Sequence, residues 1–203
     1  MNYFVTGIDT DSGKTVVSAI LCEALEADYW KPVQAGLPMD SETVRNLVSN
    51  SSTTIHKETY FLKTPASPHA AAKLDGVGIQ LTNFIQPNTF NNLIIEGAGG
   101  CLVPLNEHDF VINLAAQFNA DVILVADLYL GSINHTLLTA KELKHRKLRV
   151  KGIIFNGESN PESERIILHH TNLHCLLHID REEDMNRNII KKYAKKLLVN
   201  WHG

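Results

Sequence analysis

Four short runs, Tyr3 to Val5, Leu93 to Ile95, Val122 to Ala126 and Gly152 to Phe155, are apolar at every position rather than at alternate ones. Strands covered on both faces read this way, because neither face meets water. Between them the period lengthens: Val16, Ile20, Ala24 and Leu25 recur at helical spacing, and Ile190, Tyr193, Ala194, Leu197 and Leu198 mark an amphipathic last helix. Tyr29 to Val33 reads as a second strand, so the first strand, the helix after it and this run make a βαβ unit with a right-handed crossover. A helix is expected from Ser41 to Val48 and a proline-containing loop at Lys63 to Lys73, within a less regular stretch from 36 to 90. Alternating strands and helices predict an α/β fold with a mostly parallel sheet and helices on both faces.

Composition narrows the class. The chain has 203 residues, 44% hydrophobic and 20% charged, which suits a single globular domain spanning 1–203. A net charge of −3 offers no large basic surface for nucleic acid, and Lys191, Lys192, Lys195 and Lys196 fall on the polar face of the last helix. Cys22, Cys101 and Cys175 are odd in number and far apart, which suggests neither disulfides nor a zinc site and fits a reducing cytoplasm. No apolar run approaches the roughly 18 residues of a membrane span, so no membrane association is expected. His169, His170, His174 and His178 lack an accompanying ligand constellation, and nothing near Cys101 in sequence activates it as a nucleophile.

The chemistry begins at "YFVTGIDTDSGKT", Tyr3 to Thr15. A strand that turns into a helix through Ser12, Gly13, Lys14 and Thr15 presents free N–H groups and the positive helix end to an anion. The lysine can reach terminal phosphates and the threonine hydroxyl can ligate magnesium. The expected fold is therefore P-loop NTPase-like. The usual spacing would place a glycine at position 8, where Ile8 stands; Gly7 comes one residue early, and Asp9 and Asp11 lie inside the loop. "LIIEGAGG", Leu93 to Gly100, ends a buried strand in a carboxylate, Glu96, that can hold magnesium, and then in glycines that let the backbone approach phosphate. In "YWKPVQAG", Lys31 sits in an otherwise apolar strand as a candidate inward cation. Asp40 either caps the following helix or supplies a second carboxylate, with Glu42 competing. Gly131 and Ser132 open a helix near Asn134 that can bind a carboxylate or simply be capped, and Asn156 ends a strand with an amide that can read a purine edge or merely close a turn.

"VTGIDTDSGKT", "YWKPVQAG", "TPASPHAAA", "IIEGAGG" and "LGSINHTLLTA", in this order from Tyr3 to Asn156, resemble the dethiobiotin synthetase family. The resemblance implies an ATP-dependent cyclo-ligase that joins carbon dioxide, or bicarbonate as its source, to 7,8-diaminononanoate. The route runs through a carbamate and a carbamic-phosphoric anhydride. It implies that Asp11, Ser12, Gly13, Lys14, Thr15 and Val16 hold the ATP phosphates, and that Thr15, Asp40 and Glu96 surround Mg2+. Lys31 would be the catalytic lysine, with Lys14 assisting. Thr10, Asp11, Lys31 and Ala35 would face the substrate, the turn from Glu96 through Gly97, Ala98 and Gly99 would lie beside substrate and phosphates, and Asn156 would contact adenine. Gly131, Ser132, Ile133 and Asn134 would bind the distal carboxylate from the neighbouring subunit of a homodimer.

Two departures stand out. Ala35 replaces a serine that many members carry, with Gln34 a possible substitute, and "HCLLHIDREEDMN" lacks a glycine-and-proline segment that some members set against adenine. The rival readings are a P-loop ATPase switch protein, which would carry a lysine where Asp9 stands, and a small-molecule kinase, which would carry lid arginines where 36 to 90 has only Arg45.

Overall fold

A computed structural model describes residues 1–201. The chain runs β1 (Asn2–Gly7), α1 (Lys14–Leu25), β2 (Asp28–Trp30), β3 (Val33–Ala35), α2 (Asp40–Leu47), β4 (Ile55–His56), β5 (Tyr60–Leu62) and α3 (Pro68–Leu74). It continues through β6 (Leu93–Gly100), α4 (Asn113–Gln117), β7 (Asp121–Asp127), α5 (Ser132–His145), β8 (Val150–Asn156), α6 (Pro161–Thr171), β9 (Cys175–Ile179) and α7 (Arg187–Asn200). Seven strands form one sheet in the order β4-β2-β6-β1-β7-β8-β9, and every neighbouring pair is parallel. The four continuous apolar runs are its middle, β6-β1-β7-β8, where both faces are covered. Each fully buried Ile or Leu there contributes about 1.5–3 kcal/mol.

One face carries α1, α2 and α7, meeting Tyr3, Val5, Tyr29, Ile94 and Ile123. The other carries α3, α4 and α5 over Phe4, Trp30, Leu93, Ile95 and Val122, with α6 covering Leu124, Ile153 and Phe155 beside them. Alternation along β2 and β6 therefore sends Tyr29 and Ile94 one way and Trp30 and Ile95 the other. In α1 the buried residues centre on Val17, Ile20 and Leu21, because α7 and α2 also press on that helix. The lysine face of α7 is exposed as expected, and Leu198 joins it rather than the core.

Three expectations need correction. The strand at Tyr29 to Val33 is divided: β2 ends at Trp30, and β3 pairs with β5 in a separate two-stranded sheet. Pro32 has no N–H to give a ladder, and its carbonyl instead accepts from the backbone N–H of Thr59 (3.1 Å) and Tyr60 (3.0 Å). The β1-α1-β2 unit also spans an intervening strand, since β6 lies between β1 and β2. Finally, half of the expected loop at Lys63 to Lys73 is helix α3, begun by Pro68 and sustained by Ala70 to Ala72. The β1-to-α1 loop lies where the sheet order turns, with β2 on one side of β1 and β7 to β9 on the other. In open parallel sheets, ligand crevices form at such points, outside the carboxyl ends of the strands.

Candidate functional site

The loop after β1 is held from within. Ser12 is buried, and its Oγ donates to the Asp9 carbonyl at 3.0 Å. A Cβ on Gly7 would run into that hydroxyl, so the early glycine exists to let Ser12 close in. The Asp9 carboxylate accepts the Thr10 N–H at 2.7 Å, bracing the turn. Gly13 has a left-handed φ of 93°, and a Cβ there would collide with the Asn156 side-chain amide. That amide, at the end of β8, donates to the Ser12 carbonyl at 3.1 Å. Lys14 curls over the loop, its Nζ donating to the carbonyls of Asp9 (2.8 Å) and Thr10 (2.6 Å). Burial and then the nearby Lys31 ammonium lower its pKa to about 8.

Beside the loop, where the chain leaves β2, Lys31 is buried with its ammonium between two carboxylates, pairing with Asp40 and with Glu96 Oε1 at 2.9 Å. Oε1 also accepts the Thr15 hydroxyl at 2.9 Å, and the other oxygen, Oε2, accepts the Tyr29 hydroxyl at 2.9 Å. Burial works to raise the Glu96 carboxyl's pKa, but the Lys31 ammonium and the Ser18 and Thr15 hydroxyls outweigh it and hold the group below the usual carboxylate range. For Lys31, burial pulls the pKa down, while Glu96 and Asp40 push harder and leave it raised. Both groups are thus charged at neutral pH.

Geometry separates Asp40 from Glu42. Asp40 opens α2 and meets Lys31, while Glu42 points out to an exposed pair with Arg45. Gln34, which lines the crevice beside Ala35, is engaged within the chain: its Nε2 donates to the carbonyls of Gly36 (3.2 Å) and Pro38 (3.3 Å), and its Oε1 accepts the Asp40 N–H at 3.1 Å. It therefore braces the turn that delivers Asp40. A cleft of about 610 Å³ opens over these groups, lined among others by Thr10, Asp11, Lys31, Ala35, Asp40 and Gly99. A cation, a loop of inward N–H groups and oxygen donors around one crevice suit the transfer of a phosphoryl group between anions.

Of the candidates from sequence, Thr10, Asp11, Lys31, Ala35, Asp40, Ala98 and Gly99 line this crevice, Glu96 and Gly97 meet Lys31 and Thr15 meets Glu96 behind it, Ser12, Gly13 and Lys14 complete the adjoining loop, and Asn156 reaches that loop from β8. Val16 is half-buried in the first turn of α1. Gly131, Ser132 and Ile133 line a different cleft of about 380 Å³, with Asn134 exposed in the next position of α5. The helix start has Gly131 as its cap and no side-chain cap bond. Beyond Asn156, Glu158, Ser159 and the loop Asp180 to Glu183 wall a third cleft of about 490 Å³, on the segment that departs from the family pattern. Sequence reading missed Tyr29, which was legible only as the residue two before Lys31 in the apolar run that enters the site; Gln34 was named for a different task from the one its hydrogen bonds show. Among the described residues, no group of three or more His, Cys, Asp or Glu side chains is gathered to hold a metal, and no helix is long and apolar enough to cross a membrane.

A family profile described as an AAA domain matches residues 1–188. Among solved structures, the chain is similar in fold to a putative plasmid partition protein from Borrelia burgdorferi (TM-score 0.59, 12% identity, 99% of this chain and 97% of that one). It is similarly related to the septum site-determining protein MinD from Pyrococcus horikoshii (TM-score 0.55, 13% identity, 97% and 96%). In sequence it is 60% identical to the ATP-dependent dethiobiotin synthetase BioD of Cytophaga hutchinsonii, over 98% of each chain. It is 47% identical to that of Christiangramia forsetii, over 96% of this chain and 95% of that one. With the phosphate loop, the buried lysine and the strand-end glutamate gathered at one crevice, and relatives this close along nearly the whole length, the chain belongs to the ATP-dependent dethiobiotin synthetase family.

Proposed function

We propose that this protein closes 7,8-diaminononanoate with carbon dioxide, at the expense of ATP, to give dethiobiotin, ADP and phosphate. The observation that carries this reading is the Lys31 ammonium, buried between Asp40 and Glu96 at the floor of the crevice that the phosphate loop borders. One substrate amine attacks carbon dioxide to form a carbamate. The γ-phosphoryl group passes to the carbamate, and the second amine displaces phosphate from the mixed anhydride as the ring closes. No protein nucleophile is required, so catalysis rests on positioning and on neutralising charge.

Lys14 and the amides from Asp11 to Val16 hold the phosphates. Lys31 stabilises the carbamate and the transferring group. Thr10, Asp11 and Ala35 face the diamine, and the Glu96 to Gly99 turn lies beside both substrates. Magnesium accompanies the nucleotide, and the donor set fits it: the Thr15 hydroxyl and the Asp40 and Glu96 carboxylates are hard oxygen ligands brought together around Lys31. These residues would hold the ion, which supplies neutralisation of phosphate charge. Asn156 meets the adenine. The helix start at Gly131 to Asn134 serves the distal carboxylate of a substrate bound in a partner's crevice. A homodimer is supported by the exposed apolar residues there, Leu130 at 104% and Leu138 at 57% exposure. The reaction is placed in the cytoplasm, where ATP is available.

The test is direct. Purified protein supplied with MgATP, bicarbonate and 7,8-diaminononanoate should form dethiobiotin, detected by mass spectrometry; absence of product from folded protein would overturn the reading. Lys31→Ala should lower turnover by roughly 10²–10³-fold while ATP still binds, the scale of removing one group aimed at transition-state charge.

A further inference from the structure

Glu96 has a side chain with 0% exposure, and its carboxylate accepts from Lys31 and Thr15 on Oε1 and from the Tyr29 hydroxyl on Oε2, with the buried Ser18 hydroxyl beside it. These donors differ in what else they must do. In the reaction proposed above, on which this inference rests, Lys31 turns to the carbamate and the transferring phosphoryl group, and Thr15 offers its oxygen to magnesium. Tyr29 has no such second duty. It is fully buried in the cluster of α1, α2 and α7, and its hydroxyl donates to Glu96 behind the crevice.

The register explains how it arrives there. Tyr29 lies opposite Ile94 in the β2–β6 ladder, and both point to the α1 face. Two residues on, Lys31, where the chain leaves β2, meets Glu96 on β6. A tyrosine ring is long enough to span that diagonal, so its phenol meets the carboxylate that its strand neighbour Lys31 also meets. A carboxylate in this position has two oxygens to present, and whichever is bound from behind cannot face the crevice.

We infer that Tyr29 is a positioning residue for the reaction: its hydroxyl holds Glu96 Oε2, so that Oε1, which meets Thr15 and Lys31, is the oxygen that would be offered to the magnesium ion accompanying ATP. Donors behind a metal-ligating carboxylate fix its orientation, and their removal costs about 10–100-fold in metal affinity or activity.

Tyr29→Phe keeps the ring and removes the donor. Free Mn2+, counted by electron paramagnetic resonance in the presence of a non-hydrolysable ATP analogue, should report binding weakened by about tenfold, with kcat down by a similar factor and KM for the diamine within about twofold of the unmodified protein. A variant whose thermal stability falls while Mn2+ binding and kcat stay within about twofold of the unmodified protein would reduce Tyr29 to a packing residue and overturn the inference. Should the phenylalanine variant not fold, 3,5-difluorotyrosine placed at position 29 by amber suppression gives a stronger phenol donor of nearly the same shape. Mn2+ affinity should then move by more than about twofold, and an unchanged affinity overturns the inference equally. The unmodified protein separates the two levels. If it makes no dethiobiotin, the proposed function fails; if it does and these readouts do not move, only the role of Tyr29 fails.

Discussion

Removing the Lys31 ammonium should destabilise the fold in a pH-dependent way, and the structure sets the scale. The Glu96 side chain is 0% exposed and that of Lys31 is 6% exposed, whereas Asp40 is 30% exposed and can be rehydrated. Deleting one partner of a buried ion pair costs about 3–5 kcal/mol, because the other charge is left without its counter-ion. Tyr29 and Thr15 still donate to Glu96, which places Lys31→Ala near the lower end, about 3 kcal/mol. For a chain of this size that is a fall in Tm of roughly 6–12 °C.

The sign with pH follows from the two carboxyl environments. In the native protein the folded pKa of Glu96 is depressed, so its contribution is present above the unfolded pKa, about 4.3, and is lost as pH falls through the folded value. In the variant, burial acts without Lys31 and raises the folded pKa, so stability is full below about 4.3 and is lost as pH rises. The deficit of Lys31→Ala therefore widens from acid to neutral pH. Lys31 itself has a raised folded pKa, so its share fades only above about 10.4. Urea denaturation near pH 5 and near pH 7.5 should give deficits differing by about 1 kcal/mol or more, and adding Glu96→Gln to Lys31→Ala should recover a comparable amount at the higher pH. A deficit that ignores pH and is not relieved by Glu96→Gln would refute the reasoning and assign the loss to the cavity left by the lysine stem.

Gly13→Ala forces a Cβ into the Asn156 amide at a left-handed backbone position, so the variant should lose about 1–3 kcal/mol in urea denaturation and bind an ATP analogue more weakly by calorimetry. Asp40→Asn should cut kcat by about tenfold or more, while Glu42→Gln, which removes only an exposed pair, should leave kcat unchanged and stability within about 0.5 kcal/mol; equal effects on kcat would contradict the separation of the two acids. Asp11→Asn should raise KM for the diamine several-fold with ATP affinity little changed, a split that steady-state kinetics reads directly.

The middle of the sheet was legible because covered strands must be apolar on both faces, and Leu93 to Ile95 or Val122 to Ala126 have no other reading once glycine-bearing turns follow them. The edges were not. Ile55–His56 and Tyr60–Leu62 are too short and too exposed to carry a period, and they form strands only because β2 and β3 offer them partners. The break at Lys31–Pro32 was written in the proline but masked by the apolar residues around it. α3 was hidden by the same residue type, since a proline that ends one helix can begin another. In the crevice, the charged residues announced themselves, because a lysine and a glutamate inside apolar runs demand a partner. Tyr29 did not, since an aromatic in a strand reads as core, and Gln34 was read for the substrate because nothing local shows that its amide turns back on the chain. Only the folded chain shows that one holds a carboxylate and the other a turn.

The two acids in the phosphate loop then take different places. Asp9 turns its carboxylate back on the Thr10 N–H and offers its carbonyl to Ser12 and Lys14, so it belongs to the loop's own frame. Asp11 is exposed and lines the crevice that Lys31 floors. Two hydrogen-bonded chains converge on the turn between these acids and α1: Asn156 to the Ser12 carbonyl from β8, and Tyr29 through Glu96 to the Thr15 hydroxyl from β2 and β6. The loop is thus gripped from both halves of the sheet, by residues of β2, β6 and β8 that are far apart in sequence. A bare Ser-Gly-Lys-Thr turn has neither grip. The motif supplies the amides that face phosphate, but residues more than a dozen positions away in sequence hold those amides, and the oxygens beside them, in one arrangement before any substrate arrives.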